Sequence, residues 1–126
     1  MRAVDTNVLV RLLTGDGGDQ VPAAERFVAG GAWVSQVVLV ETLWVLKSVY
    51  AVPTERLILV VGQLLDHEAL VLQEPEVVAA ALEVFRQRPQ LGFSDCLVLA
   101  AARKAGHLPL GTFDRQLARE PGTQGL

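Results

Sequence analysis

The chain has 126 residues, a formal net charge of -3, 51% apolar residues and a single cysteine, Cys96. That size suits one domain with one core, expected over residues 1–126. No apolar run approaches the roughly 20 residues of a membrane span, no export signal opens the chain, and one cysteine excludes an internal disulfide or a zinc cluster.

A protein of the cytoplasm is expected on these grounds, a reducing compartment suiting the lone thiol. The acidic balance offers nucleic acid no global attraction, although bound divalent cations would reverse the sign locally. The apolar surplus falls in runs such as Val37 to Val40 and Leu57 to Val61, a hint of a partner surface.

In chain order, residues 2 to 5 read as a strand and Thr6 to Leu13 as a helix, followed by a glycine-rich loop from Thr14 to Asp19. Pro22 to Ala29 predicts a short helix closed by Gly30 and Gly31, and Ala32 to Val34 a second strand. From about Gln36 to Tyr50 the apolar residues run almost all the way round a helix, the pattern of a buried element. A further helix is expected from Thr54 to about Asp66, and a third strand over Ala69 to Leu72.

Glu74-Pro75-Glu76 opens the next helix, which ends near Gln87 ahead of Pro89. Phe93-Ser94-Asp95 leads into an alanine-rich helix over Cys96 to Ala105, capped by Gly106. Leu108 to Gly111 reads as a fourth strand, Asp114 to Arg119 as a short helix, and Thr123 to Leu126 as a weak edge strand. Strands alternating with helices imply an α/β fold, a parallel sheet covered on both faces. In such sheets the ligand site lies beyond the carboxyl ends of the strands, where Asp5 and Asp114 fall.

Four acids hold unusual positions: Asp5, Glu41, Asp95 and Asp114. Asp5, Asp95 and Asp114 each stand at a helix start, where an N-cap is the ordinary role. Glu41 has Val37, Val38, Trp44 and Val45 as its helical neighbours, which predicts a carboxylate facing the core or a pocket. Burying it alone would cost several kcal/mol. Acids gathered in one cleft repel, and a divalent cation relieves the repulsion; oxygen ligands without His or Cys suit Mg²⁺ or Mn²⁺. In-line displacement at phosphorus is the chemistry that uses such sites.

Val4-Asp5-Thr6-Asn7-Val8-Leu9, Glu41 within Val40-Glu41-Thr42-Leu43, Phe93-Ser94-Asp95-Cys96-Leu97 with Leu99-Ala100-Ala101-Ala102, and Gly111-Thr112-Phe113-Asp114-Arg115 occur in that order. The ordered set, spanning residues 2 to 115, resembles the PIN-domain ribonucleases, and within them is most similar to VapC-type toxins of toxin-antitoxin pairs. The resemblance implies a three-layer α/β/α sandwich with a central parallel sheet, Mg²⁺- or Mn²⁺-dependent endonucleolytic cleavage of RNA, a homodimer, and inhibition by a small antitoxin. It implies Asp5, Glu41, Asp95 and Asp114 as metal-binding acids, with Thr6, Asn7 and Thr112 as supporting polar residues.

Arg11 and Arg115, close in sequence to these acids, are candidates for holding RNA phosphates. Arg86, Arg88, Arg103 and Lys104 are expected to be surface charges, His67 and His107 helix-end caps, and Cys96 a small core residue. Trp33 and Trp44 sit in apolar contexts that predict core packing over base stacking. A haloacid dehalogenase-type phosphatase would want an acid where Asn7 stands, and a receiver domain a lysine late in the sheet, yet none follows Lys104. The remaining alternative is a catalytically inactive PIN-like module that binds RNA or protein; the presence of all four acids speaks against it.

Overall fold

The computed structural model describes residues 1–126 and divides into two compact units, Met1–Pro75 and Glu76–Leu126. The first carries β1 (Arg2–Ala3), α1 (Thr6–Thr14), α2 (Gln20–Val28), β2 (Ala32–Val34), α3 (Gln36–Ser48), α4 (Thr54–Leu65) and β3 (Leu70–Leu72). Its strands pair in parallel in the order β1-β2-β3, with Ala3 beside Trp33 and Trp33 beside Val71. β1 is shorter than expected from the sequence, because Val4 only extends the pairing by one amide bond to Trp33 before the chain turns into α1.

Local chemistry sets the helix ends. The Asp5 carboxylate accepts from the Val8 amide and so caps α1, while Gly15, at a φ of 69°, closes it with a bond to the Arg11 carbonyl. Ser35 caps α3 in the same way, its hydroxyl accepting from the Val38 amide. α1 packs on α2 and α3, and α4 on α3 and β3. Leu9, Val10, Val34, Leu39, Val61 and Leu64 are buried here. His67 lies past the end of α4 and its side chain does not cap that helix: its Nδ1 accepts from the Ala69 and Leu70 amides, at the entry to β3.

The burial expected of α3 fails. α3 is not buried all round: Leu39, Thr42, Leu43 and Leu46 are buried, whereas Val37, Glu41 and Trp44 face outward. Trp44 is 66% exposed and is not the core residue its apolar neighbours suggested. A helix covered along one side leaves its remaining apolar residues in water unless something else covers them.

The second unit carries α5 (Pro75–Gln87), which opens at the boundary, then α6 (Phe93–Ala105), β4 (Leu110–Thr112) and β5 (Thr123–Gly125). Two 3-10 turns, Pro89–Leu91 and Leu117–Arg119, punctuate it; the second replaces the short helix expected from Asp114. β4 and β5 pair in parallel, so the weak terminal strand does form. Phe85 of α5 meets Phe93 of α6 edge to face at 5.8 Å, and both rings are buried.

Lys104 of α6 binds Glu76 of α5 at 2.8 Å, and the ammonium holds the Glu76 carboxyl below its ordinary range. Arg88 and Arg103 are not simple surface charges. Arg88 pairs with Glu120, which is buried, and Arg103 donates to the Pro121 carbonyl, so both tie down the segment that leads into β5.

Candidate functional site

Asp5 stands where β1 gives way to α1, exposed, with one carboxylate oxygen committed to the Val8 amide at 3.1 Å. The next residue makes the connection that matters. The Thr6 hydroxyl donates to Glu41 Oε2 at 2.8 Å, joining the start of α1 to the middle of α3. Glu41 is exposed, which overturns the core placement among the two, core or pocket, that its apolar helical neighbours suggest. It lies on the uncovered side of α3 with Val37 and Trp44, so it needs no buried counter-charge; a single hydroxyl orients it.

Removing this bond has a measurable consequence if Glu41 acts in the site. Thr6→Val keeps the shape and removes the donor, and is expected to lower any activity that depends on Glu41 by roughly 10- to 100-fold, the usual effect of deleting a partner that orients a metal ligand. Thr6→Ser should restore it. An unchanged rate in Thr6→Val would show that the bond does not orient Glu41 for function.

In the second unit Asp95 lies in the first turn of α6, and Asp114 follows β4. Asp114 is fixed by three bonds: its carboxylate accepts from the Gln116 and Leu117 amides, each at 2.9 Å, and its own amide donates to Thr112 Oγ1 at 3.0 Å. Thr112 thus braces the turn that carries Asp114. Burial, and then the charge of Asp114, hold the Asp95 carboxyl above the ordinary aspartate range. A cation bound there would offset the Asp114 charge that bears on Asp95.

The neighbouring Cys96 does not compete as a ligand. Burial above all, reinforced by the Asp95 charge, pushes its thiol up to about 11, so it stays protonated and inert, the core residue expected. No group of three or more acids, histidines or cysteines is assembled in metal-holding geometry. The donors nonetheless fit a hard divalent cation, being carboxylate oxygens with a hydroxyl in support and with repulsion between Asp95 and Asp114 for a cation to relieve.

Asn7 is exposed and borders a cleft of the first unit together with Asp5, Val8, Arg11, Gln20 and Phe27. Arg11 is bonded to Gln20 within this lining, its Nε donating to Oε1 at 2.9 Å. Gln20 and Phe27 carry no signal in the sequence, because their partners are distant along the chain or depend on how α2 lies on α1. Arg115 and Ser94 are exposed.

The sequence pattern of the PIN domain family matches residues 2–121. The chain belongs to the PIN domain family. Membership carries the α/β class with its three-layer α/β/α fold, and PIN domains are generally nucleases that bind RNA and typically use divalent metal ions. No curated protein and no solved structure matches the chain. No helix of this PIN chain is long and apolar enough to cross a membrane.

Proposed function

We propose that this chain is a Mg²⁺- or Mn²⁺-dependent endoribonuclease, the VapC-type toxin of a toxin-antitoxin pair, acting in the cytoplasm as a homodimer that a small antitoxin inhibits. The observation that carries this reading is the acid set. Within one family match that spans both units, Thr6, next to Asp5 in the chain, donates to Glu41, and burial and then the Asp114 charge raise Asp95. The same match supports a single PIN domain over residues 1–126.

In this reading Asp5, Glu41, Asp95 and Asp114 hold the cation. The cation supplies the positive charge that an in-line displacement at phosphorus needs. One carboxylate accepts the proton of the attacking water, while Thr6 keeps Glu41 turned and Thr112 keeps Asp114 in its turn. Asn7 orients the water or a neighbouring acid, and Arg11 and Arg115 hold phosphates of the RNA. The dimer and antitoxin parts are supported by the outward apolar side chains of α3 and α4, Val37, Trp44 and Leu59.

Incubating the purified chain with total cellular RNA tests the reading. Cleavage at discrete sites is expected with Mg²⁺ or Mn²⁺, none in EDTA, and none in a folded Glu41→Gln variant. RNA binding without cleavage under every metal condition would favour the inactive binding module. Gel filtration is expected to give twice the 13.6 kDa mass of one chain; a monomer that binds no small neighbouring gene product would refute the toxin assignment.

A further inference from the structure

A cleft of about 430 Å³ lies along α1 and α2 in the first unit, with Asp5 at its edge. Its lining is mixed in chemistry: Val8, Ala23 and Phe27 are apolar, and Asn7, Arg11 and Gln20 are polar. Such a mixture, with few polar groups set against an apolar wall, is the usual make-up of a small-ligand site, and the volume lies within the range of about 300 to 1,000 Å³.

Two arginines make the cleft rigid in different ways. Arg2 covers Phe27, with its guanidinium carbon 3.9 Å from the ring centroid and its NH2 donating to the Phe27 carbonyl at 2.9 Å. The ring is therefore held at its place in the wall. Arg11 is held from two sides: Gln20 accepts from its Nε, and the loop after α1 lies directly on its stem. At Gly17, where φ is 141°, a Cβ would stand 2.3 Å from Arg11 Cδ, so only glycine lets the loop approach this closely. The Tyr50 hydroxyl donates to Asp16 Oδ2 at 2.7 Å and pins that loop. A glycine, a glutamine and a tyrosine-aspartate pair thus fix one guanidinium beside an acid-edged cleft.

We infer that this cleft is a subsite for one unpaired nucleotide adjoining the scissile phosphate of the RNA, with its base against Phe27 and Val8 and its phosphate on Arg11. The inference rests on the nuclease reading above and adds to it the place where the substrate is recognised. Unpaired bases are read by aromatic side chains and by hydrogen bonds to their edges, for which Asn7 and Gln20 supply donors and acceptors. Arg11 supplies the charge that a phosphate needs and an apolar ligand would not. A docked helix would present a ridge of side chains along several turns, whereas this cleft has room for one flat group.

Nuclear magnetic resonance of the labelled full-length chain tests this directly, using the four nucleoside 5′-monophosphates in Mg²⁺ as probes. At least one is expected to shift the Phe27 ring and Arg11 Nε signals. Ala23→Trp, a substitution at an exposed position of α2 that fills the cleft, should abolish those shifts. On RNA it should raise KM about tenfold, the value of one stacked base, with kcat changed less than about threefold. It should also redistribute the cleavage sites seen by sequencing. Gln20→Leu, which frees Arg11 without filling space, is the second variant and should weaken nucleotide binding.

Cleavage of RNA by the wild-type chain with no nucleotide-induced shift in the cleft would overturn the subsite and leave the nuclease reading standing. Nucleotide binding in the cleft of a chain that cleaves no RNA in any metal would do the reverse. Unaltered KM and cleavage sites in both variants, or loss of a protein partner with nucleotide binding intact, would assign the cleft to something other than RNA.

Discussion

Asp95→Asn is expected to lower RNA cleavage on the order of 10³-fold at neutral pH, equivalent to about 4 kcal/mol of lost transition-state stabilisation, as befits a ligand of the catalytic cation. The same substitution should raise the melting temperature of the metal-free protein. Burial, and then the Asp114 charge, lift the Asp95 carboxyl above the ordinary aspartate range. The folded chain therefore binds this proton more tightly than the unfolded chain does. Stability falls as pH rises from the ordinary aspartate range through the raised value, and stays lowered above it.

Asparagine carries no charge and escapes that cost. The gain in melting temperature should be full at neutral pH and should shrink towards zero below about pH 4, where aspartate is protonated in both states. A bound cation favours the ionised carboxylate, so the raised value is read in melts of the metal-free wild type, and adding Mg²⁺ should move that transition to lower pH. Thermal melts across pH, beside cleavage rates, check both halves. An asparagine variant that is less stable at pH 7, or that cleaves as fast as the wild type, would contradict the assignment.

Arg88→Met should cost about 2 kcal/mol of folding stability in urea unfolding, because it leaves the Glu120 carboxylate buried without its cation. The Glu120 side chain is 4% exposed and that of Arg88 41%, so the penalty falls on the acid. The loss should reach function as well. Arg88 leads into the turn before α6, which carries Asp95, and Glu120 closes the turn after Asp114. The pair thus ties the chain ahead of one acid to the chain behind the other, and Arg88→Met should slow cleavage. The double variant Arg88→Met, Glu120→Leu removes both charges and should recover most of the stability. A single variant within about 0.5 kcal/mol of wild type would show the pair to be inconsequential.

Much of the fold was legible because its boundaries are made by local chemistry. Asp5 and Ser35 cap helices from their own side chains, and Gly15 and Gly106 end helices in left-handed backbone. These signals lie within four residues of what they control. The acids were legible for the same reason, each standing at a turn between elements or against an apolar helical context.

What escaped depends on how elements meet. The apolar circuit of α3 does not say which side is covered: it places Trp44 in the core and Glu41 in the core or a pocket, and both side chains are exposed. Arg2 finds Phe27 across 25 residues, and Arg88 finds Glu120 across α6 and β4. No pattern of period two or 3.6 encodes such meetings. Gly17 was legible as loop, but its closeness to Arg11 exists only once the loop has folded back on α1.

Cys96 turns the chain into its own recorder. A protonated thiol enclosed beside Asp95 reacts with an alkylating reagent only when the start of α6 opens, so labelling rates measure the frequency of that opening. With one cysteine in the chain, the signal has a single origin. Slower alkylation on adding Mg²⁺ would give the cation's protection of this turn, read without any RNA being cut.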